Sequence, residues 1–198
     1  MSRRLYYLFV SFFLTAVTSN SQNNHLLVGQ IPPDISFISY STANRIALTN
    51  RDFRGTVYLL DFWATWCSPC IASIPHMDSL IALFRGRNVK FISITYEPKH
   101  LVEKFLIRHP MNSEIGLDKD FKMFQRYNAW AIPNIVMINA EGKVAGRIHP
   151  NKLSVEIIKE LIEGKIPEVE RTPEDLYDPK KAEEYFRTLM NEEQNHNE

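Results

Sequence analysis

Leu60-Asp61-Phe62-Trp63-Ala64-Thr65-Trp66-Cys67-Ser68-Pro69-Cys70 decides the reading of this 198-residue chain, because it holds the only two cysteines. The residues leading into it, Val57 to Phe62, form an apolar run of the length of a buried central strand. Beyond it, Ile71, Ile74, Met77, Ile81 and Phe84 recur at helical spacing, which predicts a helix from Cys67 to about Arg85, with Gly86 near its end and Pro75 kinking it. The C-x-x-C pair therefore falls at a strand-to-helix junction. There the first sulfur meets the unpaired N–H groups and the dipole of a helix N-terminus, which favour thiolate over thiol. Cys67 is the candidate nucleophile. Cys70, one turn further on, is in reach to attack a mixed disulfide on Cys67 and release the product.

Two other uses of the pair fit these residues less well. A structural disulfide closing so short a loop removes little unfolded-state entropy beside the ~3 kcal/mol of a 15-residue loop. A structural zinc site wants four ligands, and the chain has no second C-x-x-C and no H-x3–5-H pair among its six histidines. Redox chemistry is the stronger reading. Ser68-Pro69 places no charge between the sulfurs, so the thiolate is favoured mainly by the helix terminus, and no histidine is present in the dipeptide to make the pair strongly oxidising. That tilts the pair toward a reductant.

The rest of the chain arranges itself around this stretch. Arg3-Arg4, the apolar run Leu5 to Val17 and the polar Thr18 to Gln22 have the layout of a secretory leader, with cleavage expected after Ser21. The alternative is an uncleaved membrane anchor, although the run is shorter than the ~20 residues of a spanning helix. Export implies a compartment where disulfides persist. Ile35 to Ile38, a turn at Ser41 to Asn44, and the alternating Ile46 and Leu48 read as a β-hairpin. Val89 to Thr95 reads as a second buried strand, and Leu101, Val102, Phe105 and Leu106 as a helical face; this alternation implies right-handed crossovers and parallel pairing. Phe121, Phe124 and Tyr127 mark a short helix. Ile135 to Ile138 and Val144 to Ile148, joined at Glu141-Gly142-Lys143, mark a closing hairpin, and Ile157, Ile158, Leu161 and Ile162 stripe a last helix that Gly164 ends.

With 44% hydrophobic residues the chain can bury one sizeable core, and three segments are expected: a leader at 1–21, a domain at 22–164 and an acidic extension at 165–198. The formal net charge of zero divides unevenly, since residues 165–198 carry ten acids against five bases and leave thirteen against eighteen in residues 1–164. Neither balance suits a nucleic-acid binder. The extension reads as an amphipathic helix over Ala182 to Met190, a docked or frayed tail rather than a partner-binding peptide.

The segment from Leu60 to Cys70, its approach Arg54-Gly55-Thr56-Val57 and the later Ala131-Ile132-Pro133-Asn134 resemble thioredoxin-like proteins of the extracytoplasmic TlpA/ResA type, over a span from about Val28 to Gly164. The resemblance implies an α/β thioredoxin-like fold, a central mixed sheet flanked by helices, with an N-terminal β-hairpin addition. It implies a thiol:disulfide oxidoreductase that needs no cofactor beyond its own Cys67/Cys70 disulfide and no metal. Its partners would be disulfide-bearing extracytoplasmic proteins, with apocytochromes awaiting haem or misoxidised proteins among them, and a membrane thiol donor, the chain itself being a monomer. By the same resemblance Pro133 is a catalytic-site cis-proline packed against the disulfide, shaping the peptide groove and keeping metals from the thiols, the alternative being an ordinary trans proline that opens a strand; Asp61 matches a buried acid that serves the second cysteine as general base. Capping a nearby turn is the other use of Asp61. Trp66, Ser68, Pro69 and Ile132 would meet the substrate. Ser73 stands where ResA-like members often carry glutamate and Ser93 where thioredoxin carries the lysine that pairs with its acid. His76 and His149 are read as structural. Rival functions are a disulfide oxidase or isomerase, and a non-catalytic metal-carrying or binding module.

Overall fold

A computed structural model describes residues 28–169, together with Leu26. The expected leader and the helix at Ala182 to Met190 lie outside the described residues. Seven strands form one sheet: β1 (Ile35–Ser39), β2 (Arg45–Leu48), β3 (Val57–Phe62), β4 (Val89–Thr95), β5 (Glu114–Leu117), β6 (Asn134–Ile138) and β7 (Val144–Ile148). Their spatial order is β2-β1-β5-β4-β3-β6-β7. The helices are α1 (Ser68–Leu83), α2 (Lys99–Leu106), α3 (Lys122–Arg126) and α4 (Val155–Ile162).

β3 is central because every one of its residues is apolar or buried, and both of its neighbours pair with it along most of its length. β4 runs parallel to it and β6 antiparallel, the Asp61 position lying opposite Ser93 on one side and Ile135 on the other. Its side chains alternate between two cores, as a period of two requires. Tyr58, Leu60 and Phe62 join Met123, Phe124 and Tyr127 of the α3 region and Ile35 and Phe37 of β1. Val57 and Leu59 join Met77, Leu80 and Phe84 of the α1 region and Ile158 and Leu161 of α4. Burial on both faces explains why β3 reads as a continuous apolar run rather than an alternation.

The mixed sheet, the parallel β3/β4 pair and the closing β6/β7 hairpin agree with expectation. So does the β1/β2 hairpin, which turns through Ala43 at φ 57°. Three details depart from it. β5 was not anticipated: it has only four residues, one of them glycine, and the neighbouring Pro110, Asn112 and Ser113 read as loop. Yet β5 joins the hairpin to the core, pairing parallel with β4 and antiparallel with β1. The helix α1, which contains Pro75 as expected, stops at Leu83, short of Arg85, with Phe84 as its cap. Its fully buried face is Cys70, Ser73, Met77 and Leu80, while Ile71, Ile74 and Ile81 are half-buried along its border. The buried stripe thus passes through the small polar Ser73, which apolar periodicity cannot register.

Candidate active site

Cys67 is the N-cap of α1, with extended backbone angles, and its Sγ accepts the Cys70 N–H at 3.3 Å. Pro69 suits the first turn, where a missing N–H costs no helical bond. The two sulfurs are joined in a disulfide with Cα atoms 5.2 Å apart. In this oxidised form Cys67 is 3% exposed and Cys70 5%, so exposure does not distinguish nucleophile from resolving thiol. Their positions do: only Cys67 receives a helix-terminal N–H.

The surroundings gather the other candidates unevenly. Trp63, Val102, Ile115 and Leu117 pack in one cluster with the cysteines, and Ile132 lies against it. The Ile132–Pro133 peptide is cis, and Pro133 is buried at the entry to β6. Ser68 and Pro69 are exposed beside the disulfide, and Trp66 is 57% exposed, its indole N–H donating to the Tyr96 hydroxyl at 3.1 Å. The indole of Trp63 instead is buried and packs on Phe105 at 5.2 Å. The two tryptophans therefore divide into one core residue and one surface residue.

Asp61 is buried on the α1 side of β3 and lines a small cavity with Cys70, Ser73, Ser93 and Ser113. Its Oδ1 has no hydrogen-bond partner, and its Oδ2 receives only a long bond, 3.4 Å, from Ser93. Burial pushes its pKa up to about 7, with the Ser93 hydroxyl pulling weakly the other way. Asp61 caps no turn through a hydrogen bond among the described residues, and the acid and the second cysteine share one cavity. Ser93 in turn bonds Ser113 at 2.7 Å, so a pair of hydroxyls occupies the position at which the resemblance sets Ser93 against a lysine.

His76 spans from α1 to the Leu153 carbonyl at 2.8 Å, and His149 accepts the Asn151 N–H; both act within the scaffold. Among the described residues no three His, Cys, Asp or Glu side chains cluster to hold a metal ion. Two further buried carboxyls carry no signal in the sequence. Glu97 bonds Thr65 just before Cys67, and Asp118 accepts the Met123 and Phe124 N–H groups at the start of α3. Each stands within two residues of a strand end, a position that carries no motif and shows its burial only once the strands are assembled.

The AhpC/TSA family matches residues 28–147, more than half of the chain and all of the elements around the disulfide. The chain belongs to this family. A thiol-disulfide oxidoreductase ResA from Geobacillus thermodenitrificans is 29% identical over 160 residues, covering 80% of this chain and 86% of that relative. Among solved structures, a protein provisionally assigned as the thiol:disulfide interchange protein DsbE from Chlorobium tepidum superposes with a TM-score of 0.60 at 23% identity, covering 72% of this chain and all of that one. StoA from Bacillus subtilis superposes at 0.54 with 22% identity, covering 67% and 98%. At these identities the two structures speak to the fold, which is thioredoxin-like as the sequence resemblance implies. The sequence relatives agree with its ResA flavour.

Proposed function

We propose that this protein is a thiol:disulfide oxidoreductase that works outside the cytoplasm as a net reductant of disulfides in other exported proteins. The observation that carries the reading is the Cys67/Cys70 pair at the N-terminus of α1 above the buried Asp61. Family membership supports the class of chemistry. In the dithiol form, Cys67 thiolate attacks one sulfur of a substrate disulfide, a substrate thiolate leaves, and a mixed disulfide forms. Cys70 then loses its proton to the Asp61 carboxylate and attacks Cys67 Sγ, expelling the second substrate thiolate. The products are a substrate dithiol and the Cys67–Cys70 disulfide seen here. A general base works best when its pKa lies near the operating pH, which the value of about 7 for Asp61 satisfies.

Trp66, Ser68, Pro69 and Ile132 are the surface on which the substrate chain would lie, because the first three flank the cysteines in sequence and are exposed, and the half-buried Ile132 packs against the cysteine cluster. A membrane-bound dithiol is the proposed electron donor, since an exported reductant needs reducing equivalents in an oxidising compartment. Export itself rests on the N-terminal leader at residues 1–21. No helix among the described residues is long and apolar enough to cross a membrane.

Insulin reduction by the purified protein, together with the equilibrium of the pair against glutathione, tests the reading. A reductant holds the disulfide form against glutathione at a potential well below the ~−180 mV of an isomerase. A value near the ~−120 mV of a strong oxidant makes the protein an oxidase instead. Stoichiometric copper or zinc on the reduced protein, with no turnover of insulin, would replace the enzyme by a metal carrier.

A further inference from the structure

The turn that delivers Cys67 is gripped from the side by a carboxylate that the chemistry of Cys67, Cys70 and Asp61 does not use. Glu97 stands two residues past the end of β4 and is only 5% exposed. Its Oε2 accepts the Thr65 backbone N–H at 2.6 Å, and its Oε1 accepts the Thr65 hydroxyl at 2.7 Å. The Thr95 hydroxyl lies 3.3 Å from the same Oε2 and also receives the Glu97 N–H, fastening the acid to the strand end. Next door, the Tyr96 hydroxyl receives the Trp66 indole N–H. Two consecutive residues after β4 thus hold two consecutive residues before Cys67.

The segment they hold lies between β3 and α1, where neither a ladder nor a helix ties the backbone. The Cys67 N–H bond to the Ala64 carbonyl closes it as a turn over Thr65 and Trp66. Burying a carboxylate is costly unless its oxygens are satisfied, and bonds to a charged acceptor are roughly twice as strong as neutral ones. The oxygens of Glu97 are satisfied: both bond Thr65 of the loop, and Oε2 also accepts from the Thr95 hydroxyl. We propose that Glu97 is a positioning residue for the nucleophile: by gripping Thr65 it holds the Ala64–Cys67 turn so that Cys67 Sγ meets a substrate disulfide in line. This rests on the disulfide-exchange reading above.

The test uses the Cys70→Ser protein, in which Cys67 is the only thiol, and a small aromatic disulfide as probe. Cys67 thiolate attacks one probe sulfur, an aromatic thiolate leaves and is read by its absorbance, and the reaction stops at the mixed disulfide. Rates are measured well below each variant's melting temperature, so that lost stability alone does not change them. Adding Glu97→Ala is expected to slow release about tenfold, since small misplacements of a reacting group cost that much or more. Glu97→Gln, whose side-chain carbonyl still accepts the Thr65 N–H, should stay within about threefold of the parent. A parental rate in Glu97→Ala overturns the proposal whatever its melting temperature, and so does an equal slowing by Ala and Gln. If Glu97→Ala does not fold, Thr65→Val removes only the hydroxyl bond: about threefold slowing is expected, and an unchanged rate overturns the proposal. A parent that releases no thiolate overturns the disulfide-exchange reading as well, a result distinct from variants that all match an active parent.

Discussion

Asp61, the proposed base, is the residue whose burial would couple stability to disulfide exchange. Its folded pKa of about 7 stands above the ~3.9 of an unfolded aspartate, so the native state binds the proton more tightly. The stability this adds is fully present below about pH 4 and is lost as pH rises through about 7. Asp61→Asn removes a buried charge and should be more stable than wild type near pH 7, by on the order of 2 kcal/mol, with the difference vanishing in acid. Paired denaturation curves at two pH values measure this. If Asp61 accepts the Cys70 proton as proposed, the same variant should resolve mixed disulfides about a hundredfold more slowly, and single-turnover kinetics read that. A destabilised variant that resolves at the wild-type rate would make Asp61 structural. The two cysteines are separated just as sharply: Cys70→Ser should accumulate mixed disulfides with substrate, and Cys67→Ser should form none. Equal trapping by both would reverse or dissolve the assigned roles.

At the scale of elements, the site depends on short pieces fastened by side chains. α3 has five residues, too few to be stable alone, and its first N–H groups are taken by Asp118 at the end of β5. Removing that acceptor in Asp118→Ala should cost about 1–2 kcal/mol, the usual loss of a capping side chain, readable as a lower denaturation midpoint with an unchanged slope. The junction of β1 and β5 is tight in a different way. A Cβ on Gly116 would stand 2.8 Å from the Phe37 ring, so the hairpin packs on the core only because that position lacks a side chain. Gly116→Ala should force Phe37 aside and destabilise by about 1–3 kcal/mol. Full stability in this variant would show that the hairpin yields freely.

For the whole molecule, Asp61 and Asp118 act in the same direction. Burial raises the Asp118 pKa to about 6 against the pull of the Phe124, Met123 and Lys122 N–H groups, so both acids favour the fold more in mild acid than at neutral pH. The groups with lowered pKa, Asp52, Asp120, Glu156 and Glu163, are on the surface and withdraw their support only below the ordinary carboxylate range. The melting temperature should therefore be higher at pH 5 than at pH 8, and replacing Asp61 and Asp118 together by Asn should flatten that slope. A flat wild-type profile would show that neither acid titrates as its burial implies.

The sequence by itself determined the parts that are local in the chain. C-x-x-C after an apolar run and before a helical stripe is a short-range pattern, and so are the β1/β2 hairpin, β3, β4 and the β6/β7 hairpin with its turn at Gly142. Only the tertiary structure decided what long-range packing creates. β5 is four residues without legible alternation, and it is a strand because β4 and β1 offer it ladder partners on both sides. Ser73 belongs to the buried face of α1 because Asp61 and Ser93 line the cavity it borders. Glu97 lies 32 residues from Thr65 in sequence and within hydrogen-bond reach in space, so its hold on the Cys67 turn exists only after β3 and β4 pair. Periodicity records which face of an element is apolar; it carries no information about which polar atom finds which partner across the sheet.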